Sequence, residues 1–157
     1  MHKKEAQLLI AAATWERDGA ALRALRQAVF VAEQSVPLEI ELDGRDAQCR
    51  HLLAWCDSDP VGCVRMLPDG HIGRMAVLAP HRGRGIGRRL LAAMLEEAAA
   101  AGLPEVWLHA QVHAIAFYEG LGFRAEGAEF DEAGIRHRLM RRELRPAAVS
   151  PRAGSSG

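Results

Sequence analysis

The chain reads as a single domain of mixed α/β (α+β) class. Its central sheet is mostly antiparallel, contains one parallel pair, and is flanked by helices. Three observations carry this. Strand candidates His51–Cys56, Gly62–Leu67 and Ile72–Leu78 follow one another through the short turns Asp57-Ser58-Asp59-Pro60 and Pro68-Asp69-Gly70, as antiparallel neighbours do. A helical run then separates the third strand from another at Glu105–Ala110, and an intervening helix implies a crossover to a parallel neighbour. Finally, 157 residues suffice for one domain with its own core.

Taken in order, Gln7–Thr14 reads as the first strand. Asp18-Gly19 opens an amphipathic helix in which Leu22, Leu25 and Val29 share one face while Arg23, Arg26 and Gln27 lie opposite. This helix continues through Phe30–Gln34 and stops before Pro37. Residues 35–48 read as a polar loop carrying Glu39, Glu41, Asp43 and Asp46. After the three-strand meander comes His81-Arg82-Gly83-Arg84-Gly85-Ile86-Gly87-Arg88-Arg89, and then an Ala- and Leu-rich helix former. That helix buries Ile86, Leu90, Leu91, Met94, Leu95 and Ala98, exposes Arg88, Arg89, Glu96 and Glu97, and ends at Gly102 ahead of Pro104. A short helix, Ala114–Leu121, turns Ala114, Phe117 and Leu121 inward. Phe123–Ala125 and Arg136–Arg142 pair around a loop at Phe130–Gly134. Residues 1–145 are therefore the domain, and the Pro-, Ala-, Ser- and Gly-rich residues 146–157 are an expected disordered tail.

Composition narrows the function classes. Twenty basic residues balance twenty acidic ones, so nothing global points to nucleic acid or an anionic membrane. Cys49, Cys56 and Cys63 are odd in number and lack metal-ligand spacing, which reads as reduced thiols of a cytoplasmic protein with no metal. The N-terminus shows no signal-peptide pattern, and no apolar run approaches the ~20 residues that span a bilayer.

The Gly/Arg stretch carries the chemistry. A strand, a glycine-rich loop and a helix N-terminus together form an anion site: glycines admit close approach, the first helical N–H groups lack partners, and arginines add charge-assisted bonds. A phosphate-bearing ligand is the natural occupant. Gly83, Gly85 and Gly87 alternate, so the dinucleotide spacing GxGxxG fails, and no Gly-Lys-[Ser/Thr] exists for a P-loop. RNA binding would want interleaved aromatics, which the stretch lacks. A tight turn with solvated arginines is the plain alternative.

Arg82-Gly83-Arg84-Gly85-Ile86-Gly87 resembles the [RQ]-x-x-G-x-[GA] loop of the Gcn5-related N-acetyltransferase (GNAT) superfamily, and Phe117–Phe123 downstream sits in that family's order. Val29–Gln34 and Phe130–Ile135 look like its ElaA-like branch. The resemblance covers residues 6–143. It implies an N-acetyltransferase, with the parallel pair splayed into a V-shaped cleft that takes acetyl-coenzyme A and an amine. It places the pyrophosphate on Arg82, Gly83, Arg84, Gly85, Ile86, Gly87 and Arg88. It also places the pantetheine arm along Met75-Ala76-Val77, with an N–H of Ala76 or Val77 on the oxyanion. Where many members carry Asn this chain has Gln111, whose amide suits the same contact over a longer reach.

Amine attack on a thioester leaves a thiolate that must be protonated. Tyr118, the chain's sole tyrosine, matches the family's general-acid position. Base candidates are Glu33, Glu41, Asp43, His51, His109, His113 and His137. His109 lies towards the end of the strand flanking the cleft, and Glu33 is equally suited to binding the acceptor's ammonium group. A non-catalytic acyl-coenzyme A sensor and an RNA binder are the rival classes. Many family members dimerise, so a homodimer is compatible with the resemblance, without an independent sign in these residues.

Overall fold

The computed structural model describes residues 7–144, and the predicted tail 146–157 lies outside the described residues. Strands β1 (Leu8–Ala13), β2 (Arg50–Cys56), β3 (Asp59–Met66) and β4 (Ile72–Val77) form one antiparallel sheet in sequential order. The β2–β3 connection is tighter than the sequence suggests: the turn is only Asp57-Ser58, with Asp57 at φ 55°, and Pro60 sits within β3. A second sheet has the order β5 (Glu105–Gln111), β7 (Ile135–Glu143), β6 (Arg124–Glu132), again antiparallel throughout.

β2 is buried on both faces and alternates between two cores. Leu52 and Ala54 meet helix α3 (Ile86–Ala100), which presents the predicted buried face of Ile86, Leu90, Leu91, Met94, Leu95 and Ala98. Leu53, with Cys63 and Ala76, meets Leu22, Leu25 and Val29 from the N-terminal helix on the opposite face. Val106, Leu108, Ala110 and Met140 of the second sheet join the α3 side, so α3 ties the two sheets together.

Helix α1 spans Trp15–Arg26, three residues earlier than the Asp18-Gly19 start expected from sequence. Thr14 explains the difference. Its hydroxyl accepts from Arg17 N–H at 3.1 Å, while Asp18 reaches back to accept from Thr14 N–H at 3.0 Å, a reciprocal cap. Past Arg26 the helix widens into a π-helical segment, Gln27–Glu33, with Gln34 N–H bonding Val29 O at 3.1 Å. A second correction concerns residues 35–48. They include helix α2 (Leu38–Glu41) and a 3₁₀ turn at Asp46–Gln48, and Glu41 and Asp46 are buried within an otherwise largely exposed stretch.

The predicted parallel pair is reduced to one bridge. His71 lies opposite Trp107, and Trp107 N–H donates to Gly70 O at 3.0 Å. Gly70 (φ 91°) permits this, because a Cβ there would fall 2.8 Å from Glu105 O. Beyond the bridge β4 and β5 belong to different sheets. β4 is bent at Arg74, which sits at φ 48° where the β3–β4 register slips between Cys63 and Arg65, a bulge that re-aims the strand.

The C-terminal hairpin also departs from expectation. β6 runs to Glu132 and the turn is only Ala133-Gly134 (φ 52° and 79°), so Phe130–Glu132 are strand residues rather than a loop. A bulge between Glu126 and Phe130, with Gly127 at φ 74°, carries the extra length. Helix α4 (Ile115–Glu119) follows a 3₁₀ turn at Val112–Ala114, shorter than the predicted Ala114–Leu121. Among the described residues no helix is long and apolar enough to cross a membrane.

Candidate active site

A cavity of about 530 Å³ opens where the two sheets part. β4 forms one wall with Ile72, Arg74 and Met75, and β5 forms another with Leu108, His109 and Gln111. Tyr118 of α4 and Glu132 and His137 of the hairpin complete that side. Residues 30–45 cover the opposite side with Phe30, Gln34, Val36, Ile40, Glu41 and Asp43.

That cover is fastened by buried charge. Arg26 is 1% exposed, against its predicted place on the polar helix face. Its Nε donates to Glu41 Oε2 at 3.0 Å, and its Nη1 and Nη2 donate to Asp46 at 2.6 and 3.2 Å. Arg65 bridges Asp46 (3.0 Å) and Asp43, while Arg74 donates to Glu41 Oε2 at 2.8 Å and to Asp43 at 3.3 Å. Burial alone would raise the Asp43 and Asp46 carboxyls. Hydrogen bonds from Arg65 and Arg26 outweigh it and hold both below the ordinary carboxylate range. The contacts of Arg74 also support its left-handed backbone, a conformation costing about 1–3 kcal/mol. Glu41 Oε1 is buried with no hydrogen-bond partner among the described residues.

The glycine loop lies at the other end of β4. Gly83 and Gly85 both adopt φ 79°, and a Cβ on either would meet nothing within 4 Å. Gly85 caps α3, whose first internal acceptor pair is Arg89 N–H to Gly85 O (3.1 Å). The N–H groups of Ile86, Gly87 and Arg88 thus point outward without helical acceptors. Arg82, Arg84, Arg88 and Arg89 are all exposed around them. An anion fits these donors. Gly87 packs where a Cβ would touch Met75, Val77 and Phe117, so β4 and α4 each reach both the loop and the cavity.

Tyr118 is half-buried against Phe117 and Phe123, with ring centroids at 5.1 and 5.9 Å. Burial pushes its phenol up to about 12, so it stays protonated at neutral pH. Among the described residues no protein group bonds its hydroxyl. Gln111 donates to Gln34 Oε1 (3.1 Å) and accepts from His113 Nε2 (2.7 Å), linking β5 to the residues after α1.

These features coincide with a family match. A model described as an acetyltransferase (GNAT) domain matches residues 7–144. The chain belongs to the GNAT acetyltransferase family. Protein ElaA of Escherichia coli is 35% identical over 133 residues, covering 79% of this chain and 86% of that one. YjcF of Bacillus subtilis, named an N-acetyltransferase, is 36% identical over 123 residues, 76% of this chain and 88% of that one. The crystal structure of E. coli ElaA superposes with TM-score 0.79 at 32% identity, over 86% of this chain and 99% of that chain. An acyl-CoA N-acyltransferase from Pseudomonas aeruginosa gives TM-score 0.78 at 33% identity, over 87% and 99%. As a GNAT protein, the chain is an acyl-CoA-dependent N-acyltransferase.

Within this GNAT site the base candidates separate. Glu33 lies outside the cavity lining, its carboxylate held by Arg82 Nη2 at 2.8 and 3.0 Å while Arg82 Nε donates to Val77 O at 2.9 Å. His51 is buried on Asp46 O (2.8 Å), and His113 is exposed on Gln111, neither lining the cavity. Glu41 and Asp43 line it but are neutralised by arginines. His109 and His137 line it and, among the described residues, pair only with Glu132. Two residues not singled out in the sequence, His71 and Glu132, also stand there. Among the described residues no group of three or more His, Cys, Asp or Glu is arranged to hold a metal ion.

Proposed function

We propose that the chain is an N-acetyltransferase that moves an acetyl group from acetyl-coenzyme A to a primary amine by direct attack within a ternary complex. One observation carries this reading. Helix α4 sets Phe117 against Gly87 of the anion loop and, at the next position, lines the cavity with Tyr118, so one short element spans the pyrophosphate and acyl ends of a single ligand.

The cofactor supplies an activated acetyl thioester; the chain supplies placement and protons. Outward N–H groups at 86–88 and the guanidinium groups of Arg82, Arg84 and Arg88 hold the pyrophosphate, with Gly83, Gly85 and Gly87 giving access. The edge of β4 at Met75, Ala76 and Val77 lies beyond the single bridge to β5 and is open to the pantetheine amides. An N–H at Ala76 or Val77 stabilises the oxyanion as the amine nitrogen adds to the carbonyl. As the carbon–sulfur bond breaks, Tyr118 gives its proton to the departing sulfur.

Tyr118→Phe tests the acid role. Thiol release at saturating substrates should fall at least about tenfold while acetyl-coenzyme A binds with wild-type affinity by calorimetry. Unchanged turnover would reject the assignment.

A further inference from the structure

We infer that Glu132 is a positioning residue for a His109 general base, the two forming a dyad on the cavity wall that prepares the acceptor amine. The inference rests on the acetyl-transfer reading and assigns the step that Tyr118 cannot perform.

His109 Nδ1 lies 2.8 Å from Glu132 Oε1. A carboxylate only accepts, so Nδ1 carries the hydrogen and the ring's lone pair is on Nε2. Among the described residues Nε2 has no protein partner, and the residue lines the cavity. Edge and tilted aromatic contacts fix the ring plane. Phe130 meets it edge-on at 5.0 Å, with His71 at 5.3 Å and Trp107 at 5.6 Å. Phe130 and Glu132 both come from the end of β6, which is why the strand's extension beyond residue 125 matters chemically.

The charges around His109 leave Glu132 as its partner. From β7, His137 donates Nδ1–H to Ile135 O at 2.7 Å and turns Nε2 towards Glu132 Oε2 at 4.0 Å. From the turn before β4, His71 lies against Trp107 at 3.9 Å, and burial, with His109 adding to it, pushes its imidazole down to about 4, so it adds no charge at neutral pH. Asp69 sits behind His71, and Arg65 of β3 is engaged by Asp43 and Asp46. Glu41 and Asp43 face their own arginines. Glu132 is therefore the cavity carboxylate that no arginine neutralises among the described residues.

The step balances simply. Nε2 takes one proton from the acceptor's ammonium group, directly or through one water, leaving a neutral amine to attack. The imidazolium rests on the Glu132 carboxylate until it releases that proton to solvent.

The test uses the full chain. Wild-type enzyme is first assayed for acetyl-coenzyme A-dependent thiol release over a panel of primary amines; absence of release from every amine overturns the acetyl-transfer reading and this inference with it. On an accepted amine, His109→Asn should lower kcat about a hundredfold and abolish the acid limb of the pH–rate profile. Glu132→Gln should lower kcat about tenfold and leave the KM for acetyl-coenzyme A unchanged. Glu132→Asp should recover part of the loss. Nitrogen NMR of the ring in the resting protein should show the Nδ1–H tautomer in wild type and a mixture in Glu132→Gln. A Glu132→Gln enzyme with the wild-type kcat and tautomer, or with lost activity that merely tracks lost stability, overturns the dyad.

Discussion

Replacing Arg26 by methionine should destabilise the protein far more than a helix-surface substitution, because the side chain joins two buried carboxylates. Arg26 and Glu41 are each 1% exposed and Asp46 is 4% exposed. Removing one member of a buried ion pair costs about 3–5 kcal/mol, since the surviving charge stays out of water. Here each carboxylate keeps one arginine, Glu41 with Arg74 at 2.8 Å and Asp46 with Arg65 at 3.0 Å. The low end, about 3 kcal/mol, is therefore expected, a large share of a typical stability of about 5–15 kcal/mol. In a domain of this size that lowers Tm by roughly 10 °C. Denaturant unfolding at neutral pH measures it directly. The pH dependence follows from the Asp46 carboxyl, which the hydrogen bond from Arg26 holds below its unfolded value of 3.8. That stabilisation is whole above the unfolded value and is lost as pH falls through the lower folded-state value, so the gap between wild type and variant should close in acid. A neutral-pH loss under about 1 kcal/mol would refute the buried-network reasoning.

Two further substitutions separate roles at the loop. Glu33→Gln should retain the pH–rate profile and raise the KM for acetyl-coenzyme A up to about fivefold, because Arg82 loses the carboxylate that holds it in place beside the loop, an exposed pair worth at most about 1 kcal/mol; loss of the acid limb would instead make Glu33 the base. Gly85→Ala should cost about 1–2 kcal/mol of stability at φ 79°. It should also raise the KM for acetyl-coenzyme A about tenfold through one weakened charge-assisted bond, and an unchanged KM would remove Gly85 from the cofactor site.

Some of this structure is legible in the sequence, for physical reasons. The α3 face from Ile86 to Ala98 follows a 3.6-residue period, and the alternating glycines before it mark the loop that leads into the helix, with Gly83 and Gly85 both at φ 79°. That Tyr118 lines the cavity agrees with the place the resemblance gave it. Arg26 is not legible: its helical position says solvent, and only Glu41 and Asp46, brought over by the chain after Pro37, make it a core residue. The reach of β6 is hidden by Gly127, Ala128 and Glu129, poor strand formers that the bulge accommodates. Hidden with it is Glu132, whose role depends on a strand pairing that no local pattern encodes. The shortness of the parallel β4–β5 pairing, a single bridge at His71 and Trp107, has a related reason. A crossover helix predicts direction, but the left-handed Arg74 that opens the sheet is fixed by its contacts with residues 40–43.

The most direct test of the central claim is one titration followed by one assay. Acetyl-coenzyme A is titrated into the protein by calorimetry, and amine-dependent thiol release is then measured at the saturating concentration so defined. Saturable binding together with release that requires an amine, and that falls at least about tenfold in Tyr118→Phe, is the predicted result. Saturable binding with no release from any primary amine would contradict it and make the chain an acyl-coenzyme A sensor.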